Sequence, residues 1–161
     1  MDKQDARTYT AMGALYAKMS SLATSKKEQK KYFDLAEKTY QEAIRVNPDY
    51  AQSYFNYASL IAEENPKKAL EYVYLYQKSK PNEVEGFVLA GILHNLLKEY
   101  AKAIIHLEKA VSLNANHSEA FLELAWANYH LKKREEACKN WQKAQTLGNT
   151  SAEDFLKKYC R

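Results

Sequence analysis

The chain has 161 residues, of which 46% are hydrophobic and 27% are charged, and its formal net charge is +4. This length supports one domain or one compact array. There are only 4 glycines and 3 prolines, against usual frequencies of about 7% and 5%, which excludes turn-rich sandwiches and barrels and disfavours a doubly wound sheet. We therefore predict an all-α fold. No apolar run approaches the roughly 20 residues that cross a bilayer, so no direct membrane insertion is expected.

The predicted helices come in pairs. In the first helix of each pair, an aromatic residue is followed four positions later by Gly or Ala, starting at Tyr9, Tyr54, Phe87 and Phe121. In the second helix, an alanine begins a stripe at offsets 0, 4 and 7, starting at Ala36, Ala69, Ala103 and Ala137. These stripes are separated by 33, 34 and 34 residues. Such offsets share one helical face, and small residues there permit close helix crossing.

We predict four repeats, at about residues 6–48, 51–81, 84–117 and 118–149, and a capping helix at about 150–161. The first repeat is longer than the others, which we interpret as lengthened helices that turn near Thr24 to Lys26. Thr24 or Ser25 is the expected N-cap, and Glu28 completes a capping box after Ser25. The final helix would cover the apolar face of the last repeat, as the end of an array requires.

The 34-residue period and the two helix patterns resemble the tetratricopeptide repeat family over roughly residues 6 to 149. Pro48 and Pro81 lie where this family usually has a proline, whereas the third and fourth repeats have Ala115 and Asn149 there. The resemblance implies a single domain built as a right-handed superhelical array of antiparallel helix pairs, an α-solenoid. It also implies a non-catalytic module that binds a peptide or helix of a partner protein in a concave groove lined by the first helices.

The groove expected from this resemblance becomes apolar and aromatic toward the C-terminus. Its predicted residues are Phe55, Val88, Ile92, Asn95, Leu122, Trp126, Tyr129 and His130. Exposed apolar patches usually mark interfaces, and Trp and Tyr often anchor them. The alternative is that Trp126 is covered by its neighbours or by the capping helix. The clamp with which some family members hold chaperone tails is disfavoured, because Ala14, Glu85 and Leu89 occupy its positions.

No pattern in the sequence favours catalysis or a cofactor. The four histidines, at positions 94, 106, 117 and 130, show no helical metal-site spacing, and the common nucleophile, phosphate-loop and zinc motifs are absent. Carboxylate pairs such as Glu119 with Glu123 are typical of solvated helices. Basic residues do not line one helical face, so no nucleic-acid partner is expected. We predict a protein or peptide partner, no enzyme activity, no cofactor and no metal.

A second interpretation is a self-associating structural adaptor of a bacterial envelope complex. Nothing equivalent to the capping helix precedes the first repeat, so its first helix, or alternatively the outer face of the array, could stack on a second copy to form a homodimer. The sequence shows no targeting signal. Localisation is therefore left open between the cytoplasm and the periplasm or envelope.

The two cysteines bear on this choice. Cys138 and Cys160 are equidistant from the turn near Asn149, so an antiparallel hairpin would place them at the same height. The C-terminal sequence around them also resembles the ends of some bacterial envelope-associated repeat proteins. A disulfide between them would indicate an oxidising compartment and an exported protein; the alternative is two reduced cysteines that serve as small apolar residues.

Overall fold

The computed structural model describes residues 4 to 160, without the side chain of residue 4, and this part of the chain contains helices and no strands. The helices are α1 (Gln4–Leu22), α2 (Lys26–Val46), α3 (Ala51–Ile61), α4 (Pro66–Ser79), α5 (Val84–Leu96), α6 (Tyr100–Leu113), α7 (Ser118–His130), α8 (Arg134–Thr146) and α9 (Ser151–Tyr159). The predicted all-α class is confirmed, and each predicted repeat contains one helix pair.

The chain divides into two compact units, one up to Pro81 and one from Asn82. In the first unit, α1 packs on α2 and α3 packs on α4. In the second unit, α5 packs on α6, α7 packs on α8, α9 packs on α8, and the two first helices α5 and α7 also contact each other. The expected single-domain organisation stays a prediction.

The helix ends follow from local capping. The Ser25 hydroxyl accepts a hydrogen bond from the Glu28 amide at 3.2 Å and donates one to the Glu28 carboxylate at 3.1 Å, which confirms the predicted capping box and the turn before α2. The Asn65 side chain accepts from the Lys68 amide at 3.1 Å, and Pro66 opens α4, where a missing N–H is tolerated.

The stripes of the second helices form the core. Ala36, Ala69, Ala103 and Ala137 are fully buried, as are the larger Val73, Leu107 and Trp141. A Cβ atom on Gly91 would overlap the Leu107 side chain, and one on Gly13 would lie 2.6 Å from the Tyr40 ring. Gly91, which follows Phe87 by four positions, therefore lies at a close crossing with the stripe of α6, as expected for the small residues of the first helices, and the same close approach recurs at Gly13.

The connections that follow α5 and α7 share one backbone shape. Lys98 and Lys132 take the left-handed conformation, with φ of 59° and 62°. The amide of Lys98 donates to the Asn95 carbonyl at 2.9 Å, and the amide of Lys132 donates to the Tyr129 carbonyl at the same distance. Gly148, with φ of 89°, repeats this ending after α8. Left-handed residues at this place satisfy the last carbonyls of a helix.

Candidate functional site

The second unit contains a cavity of about 180 Å³ between α5 and α7, near the start of α6. The residues that line it are Ile92, Asn95, Leu96, Tyr100, Glu123, Trp126 and His130. The three α5 residues are spaced as i, i+3 and i+4, and the three α7 residues as i, i+3 and i+7, so each set shares one helical face. The packing of α5 on α7 brings the two faces together.

One wall of this cavity is aromatic. The rings of Tyr100 and His130 stack with centroids 4.5 Å apart and an angle of 3° between their planes. The Trp126 ring lies 5.3 Å from the His130 ring. Leu96, whose side chain is 47% exposed, adds an aliphatic edge. These rings offer a large apolar contact area together with polar edges, which is the composition of many binding surfaces.

The polar wall comes from Asn95 and Glu123. The Asn95 side-chain amide donates to the Glu123 backbone carbonyl at 3.0 Å and to one Glu123 carboxylate oxygen at 2.9 Å. Burial raises the pKa of the Glu123 carboxyl above its ordinary value of 4.5, and the charge of Glu119 raises it further, while the Asn95 hydrogen bond acts in the opposite direction. The expectation that Glu123 is a solvated helix residue is therefore wrong, because α5 covers part of its side chain.

Four of the eight predicted groove residues line this cavity: Ile92, Asn95, Trp126 and His130. The prediction that Val88 is exposed in the groove is wrong, since its side chain is only 3% exposed. Val88 packs in a core cluster that includes Leu107 of α6 and Leu124 of α7. Side-by-side packing of the first helices covers this position.

Leu122 and Tyr129 pack instead in the cluster around the buried Trp141 and the capping helix α9. The Tyr129 ring lies 4.6 Å from that of Tyr159. Trp126 belongs to both places: it lines the cavity, and its ring stacks on Phe155 of α9 at 5.0 Å. The capping helix therefore covers part of Trp126 and leaves part of it on the cavity wall.

Phe55 lies in the first unit, away from this set. Its ring packs against Tyr76 of α4 with centroids 5.0 Å apart. Together with Ala14 and Ala17 of α1, it borders a separate hollow of about 380 Å³. Phe55 thus belongs to a first-helix surface of its own unit.

His94 and His106 pack against each other in the second unit. His94 is buried and its Nδ1 lies 2.7 Å from a Glu99 carboxylate oxygen. The His106 ring stacks on that of His94 at 5.2 Å. Burial lowers the pKa of His106 below 6.5, and the charge of His94 lowers it further. Across residues 4 to 160, no three metal-ligating side chains form a cluster able to hold an ion.

None of the helices in this described range has the combination of length and apolar character that a membrane span requires.

Cys138 of α8 and Cys160 at the end of α9 form a disulfide, with Cα atoms 5.7 Å apart. The bond joins the capping helix to the last repeat beside Trp141 and Tyr159. Arg134 makes a second connection, because its Nε donates to the Tyr159 carbonyl at 2.9 Å. The hairpin geometry predicted that the two cysteines lie close together and left open whether they are bonded or reduced.

The sequence analysis did not identify Tyr100 as a cavity residue, and it assigned Glu123 to a solvated helix surface although Glu123 lines the cavity. Tyr100 opens a second helix, and the groove was expected from first helices alone. A signal for Glu123 was present, since it is spaced as i, i+3 and i+7 with Trp126 and His130.

A family model described as a tetratricopeptide repeat matches residues 27–50 and 84–117. The solved structure of pilF from Pseudomonas aeruginosa superposes with a TM-score of 0.77 at 21% identity, over 96% of this chain and 69% of that one. That of YrrB, described as a TPR protein with an unusual peptide-binding site, gives a TM-score of 0.76 at 18% identity, over 98% and 76%. Residues 27–50 and 84–117 thus match tetratricopeptide repeats, and the chain has the fold of a tetratricopeptide repeat protein.

Among curated sequences, the repeat protein is 28% identical to the Homo sapiens protein SGT1 homolog over 98 residues, which are 60% of this chain and 27% of that protein. The chain spans less than a third of the length of the SGT1 homologs it matches. The likeness to solved structures shows the fold, an all-α solenoid of tetratricopeptide type. Repeats of this family are generally non-catalytic modules for binding other proteins.

Proposed function

We propose that this repeat protein is a non-enzymatic scaffold that binds an extended or helical segment of a partner protein across α5 and α7. The observation that carries the proposal is the cavity beside Trp126, where partly exposed apolar and aromatic side chains surround a polar pair. An anchor residue of a partner would bury these side chains, and such buried aromatic contacts often dominate binding energy. The peptide-binding site described for YrrB is consistent with this use of the fold.

The test begins with selection of peptides from a displayed random library on the immobilised protein. Affinities of the selected peptides are then compared between the wild type and Leu96→Ser. Ile105→Ser is the matched control, because Ile105 is an exposed aliphatic residue of α6, at 66% exposure, outside the cavity lining. We expect Leu96→Ser to weaken binding and Ile105→Ser to leave it unchanged. Equal effects of the two variants would argue against the proposed site.

Trp126→Ala gives a second measure, with an expected loss of about 2 kcal/mol of binding free energy, as for a hot spot. Because Trp126 also stacks on Phe155, the variant is first checked by its unfolding midpoint. Trp126 fluorescence should shift when a peptide binds, whereas Trp141 is fully buried and should respond little. A peptide that binds without any fluorescence change would contradict the placement.

A second candidate function is self-association through α1. Met12, Leu15 and Leu22 are exposed at 41%, 58% and 70%, and their spacing places them on one side of the helix. A second copy that covers this stripe would give a homodimer. Sedimentation equilibrium over a range of concentrations tests this idea: the wild type should dimerise and Leu15→Glu should stay monomeric. A wild type that is monomeric at every concentration would remove this candidate.

We propose an oxidising compartment, such as the periplasm or envelope, as the location of the protein. The disulfide between Cys138 and Cys160 supports it, since such bonds persist outside reducing cytosol. Thiols are titrated in protein taken from its native cells, trapped by alkylation and unfolded without reductant. No free thiol would support export, and two free thiols would indicate a reducing location.

A further inference from the structure

Glu123 is a partly buried carboxylate that forms no ion pair within the described part of the chain. Among residues 4 to 160, no Lys, Arg or His side chain lies within ion-pair distance of it, and its side-chain hydrogen bond comes from Asn95. Buried charges in proteins are usually paired, because removal from water is costly without a partner. The raised pKa of Glu123 reflects this uncompensated burial.

The side-chain oxygen of Asn95 is a second hydrogen-bond acceptor in the same wall. The Asn95 side-chain oxygen is buried and accepts no hydrogen bond within the described part of the chain. Both Asn95 and Glu123 line the cavity. The polar wall therefore has an excess of acceptors over donors, and Glu119 one turn earlier on α7 adds negative charge.

The remaining wall suits a planar cation. Tyr100, Trp126 and His130 present aromatic rings at the same cavity, and a guanidinium group is attracted to such faces. A volume of about 180 Å³ is below the ~300–1,000 Å³ of small-molecule sites, which fits a single side chain better than a whole ligand.

We propose that this cavity binds the guanidinium group of an arginine in the partner segment, with Glu123 as its counter-ion. The inference rests on the proposed function, whose partner it specifies as a segment with an arginine anchor. Arginine is favoured over lysine because its planar head stacks on aromatic rings, can engage a carboxylate through two N–H groups and is more weakly hydrated. An aliphatic anchor would leave the Glu123 carboxylate without a counter-ion.

The first experiment uses N-acetyl-arginine N-methylamide as the probe and follows the indole N–H resonance of Trp126 in ¹⁵N-labelled protein at pH 7.5. We expect a saturable shift with this probe and about tenfold weaker binding of the citrulline analogue, which has nearly the same shape without the charge. Glu123→Gln should remove the preference for arginine. Glu108→Gln is the matched control, since Glu108 is an exposed carboxylate of α6 away from the cavity.

The inference would be overturned by no saturable shift with the arginine probe, by equal binding of the citrulline analogue, or by equal effects of Glu123→Gln and Glu108→Gln. A lysine probe that binds more tightly than the arginine probe would also overturn it. The folded state of Glu123→Gln is checked by its amide spectrum. Glu123→Asp, which keeps the charge, should retain the preference for the charged probe.

The peptide selection separates this inference from the proposed function. Selected peptides that depend on Leu96 and share an arginine would support both. Selected peptides that depend on Leu96 but lack arginine enrichment would overturn the inference and leave the binding function in place. Absence of any peptide that depends on Leu96 would count against the proposed function, while the probe titration would still decide whether the cavity prefers a guanidinium group.

Discussion

Reduction of the disulfide between Cys138 and Cys160 should destabilise the second unit. The bond closes a loop with a sequence separation of 22 residues. In the chain-entropy model, a loop of this length restricts the unfolded chain enough to stabilise the native state by about 3 kcal/mol at 25 °C. For a urea m-value of about 2 kcal/mol per molar, the unfolding midpoint should fall by roughly 1.5 M.

Contacts that do not involve sulfur should keep the capping helix α9 docked after reduction. Phe155 stacks on Trp126, Tyr159 stacks on Trp141 at 5.6 Å, and Arg134 donates to the Tyr159 carbonyl. We therefore expect the native far-UV circular dichroism to be unchanged and the loss to appear in the unfolding midpoint. Tryptophan fluorescence is the suitable probe, because Trp126 and Trp141 both lie in this unit.

The control is the double variant Cys138→Ala with Cys160→Ala, measured with and without reductant. The reductant should shift the wild type and leave the double variant unchanged, and each single variant should match the double, because one cysteine alone makes no bond. Equal midpoints for oxidised and reduced wild type, with the bond state verified by thiol titration, would refute the loop-closure argument.

Three further predictions concern the second unit. Gly91→Ala should lower the free energy of unfolding by about 1–3 kcal/mol, because its Cβ would overlap the buried Leu107; a gain in stability, as helix propensity alone predicts, would contradict the crossing. Glu123→Gln should raise the free energy of unfolding at pH 7, because the folded-state pKa above 4.5 penalises the ionised native state; this advantage should vanish below pH 4.5, and urea titrations at pH 7 and pH 4 measure it. The free energy of unfolding should also fall as the pH drops below 6.5, because the lowered pKa of His106 in the folded state makes the unfolded chain bind protons more readily. His106→Gln should reduce the change in this free energy between pH 7.5 and 5, and an unchanged pH dependence would mean that other groups cause the loss.

The sequence was most informative where one helix pair determines its own packing. The alanine stripes and Gly91 encode how closely two helices cross, and this requirement recurs in every repeat at nearly fixed spacing. The cap at Ser25 was equally predictable, because a cap depends on a few local backbone groups.

Contacts between neighbouring repeats were harder to predict. Val88 was assigned to an open groove because helix geometry gives the direction of a side chain but does not say whether α7 covers it. Glu123 was assigned to solvent because the sequence of α7 alone does not show that α5 covers part of its side chain. Tyr100 was missed because it reaches the cavity from the start of a second helix. For Trp126, the sequence analysis weighed exposure in the groove against cover by the capping helix. Each alternative holds for part of the ring, because one part lines the cavity and another part packs on α9.

The left-handed turns at Lys98 and Lys132 lie 34 residues apart and have nearly the same φ, so equivalent backbone joints connect the first helix to the second within each of two consecutive repeats. A lysine pays more in this conformation than glycine would, yet the joint has the same hydrogen bonds in both places. The joint is thus a property of the repeat as a unit and does not depend on a particular neighbour. A duplicated copy of residues 84–117 inserted before Ser118 should consequently form the same joint between its own two helices, so the number of helix pairs in this unit could be engineered one repeat at a time.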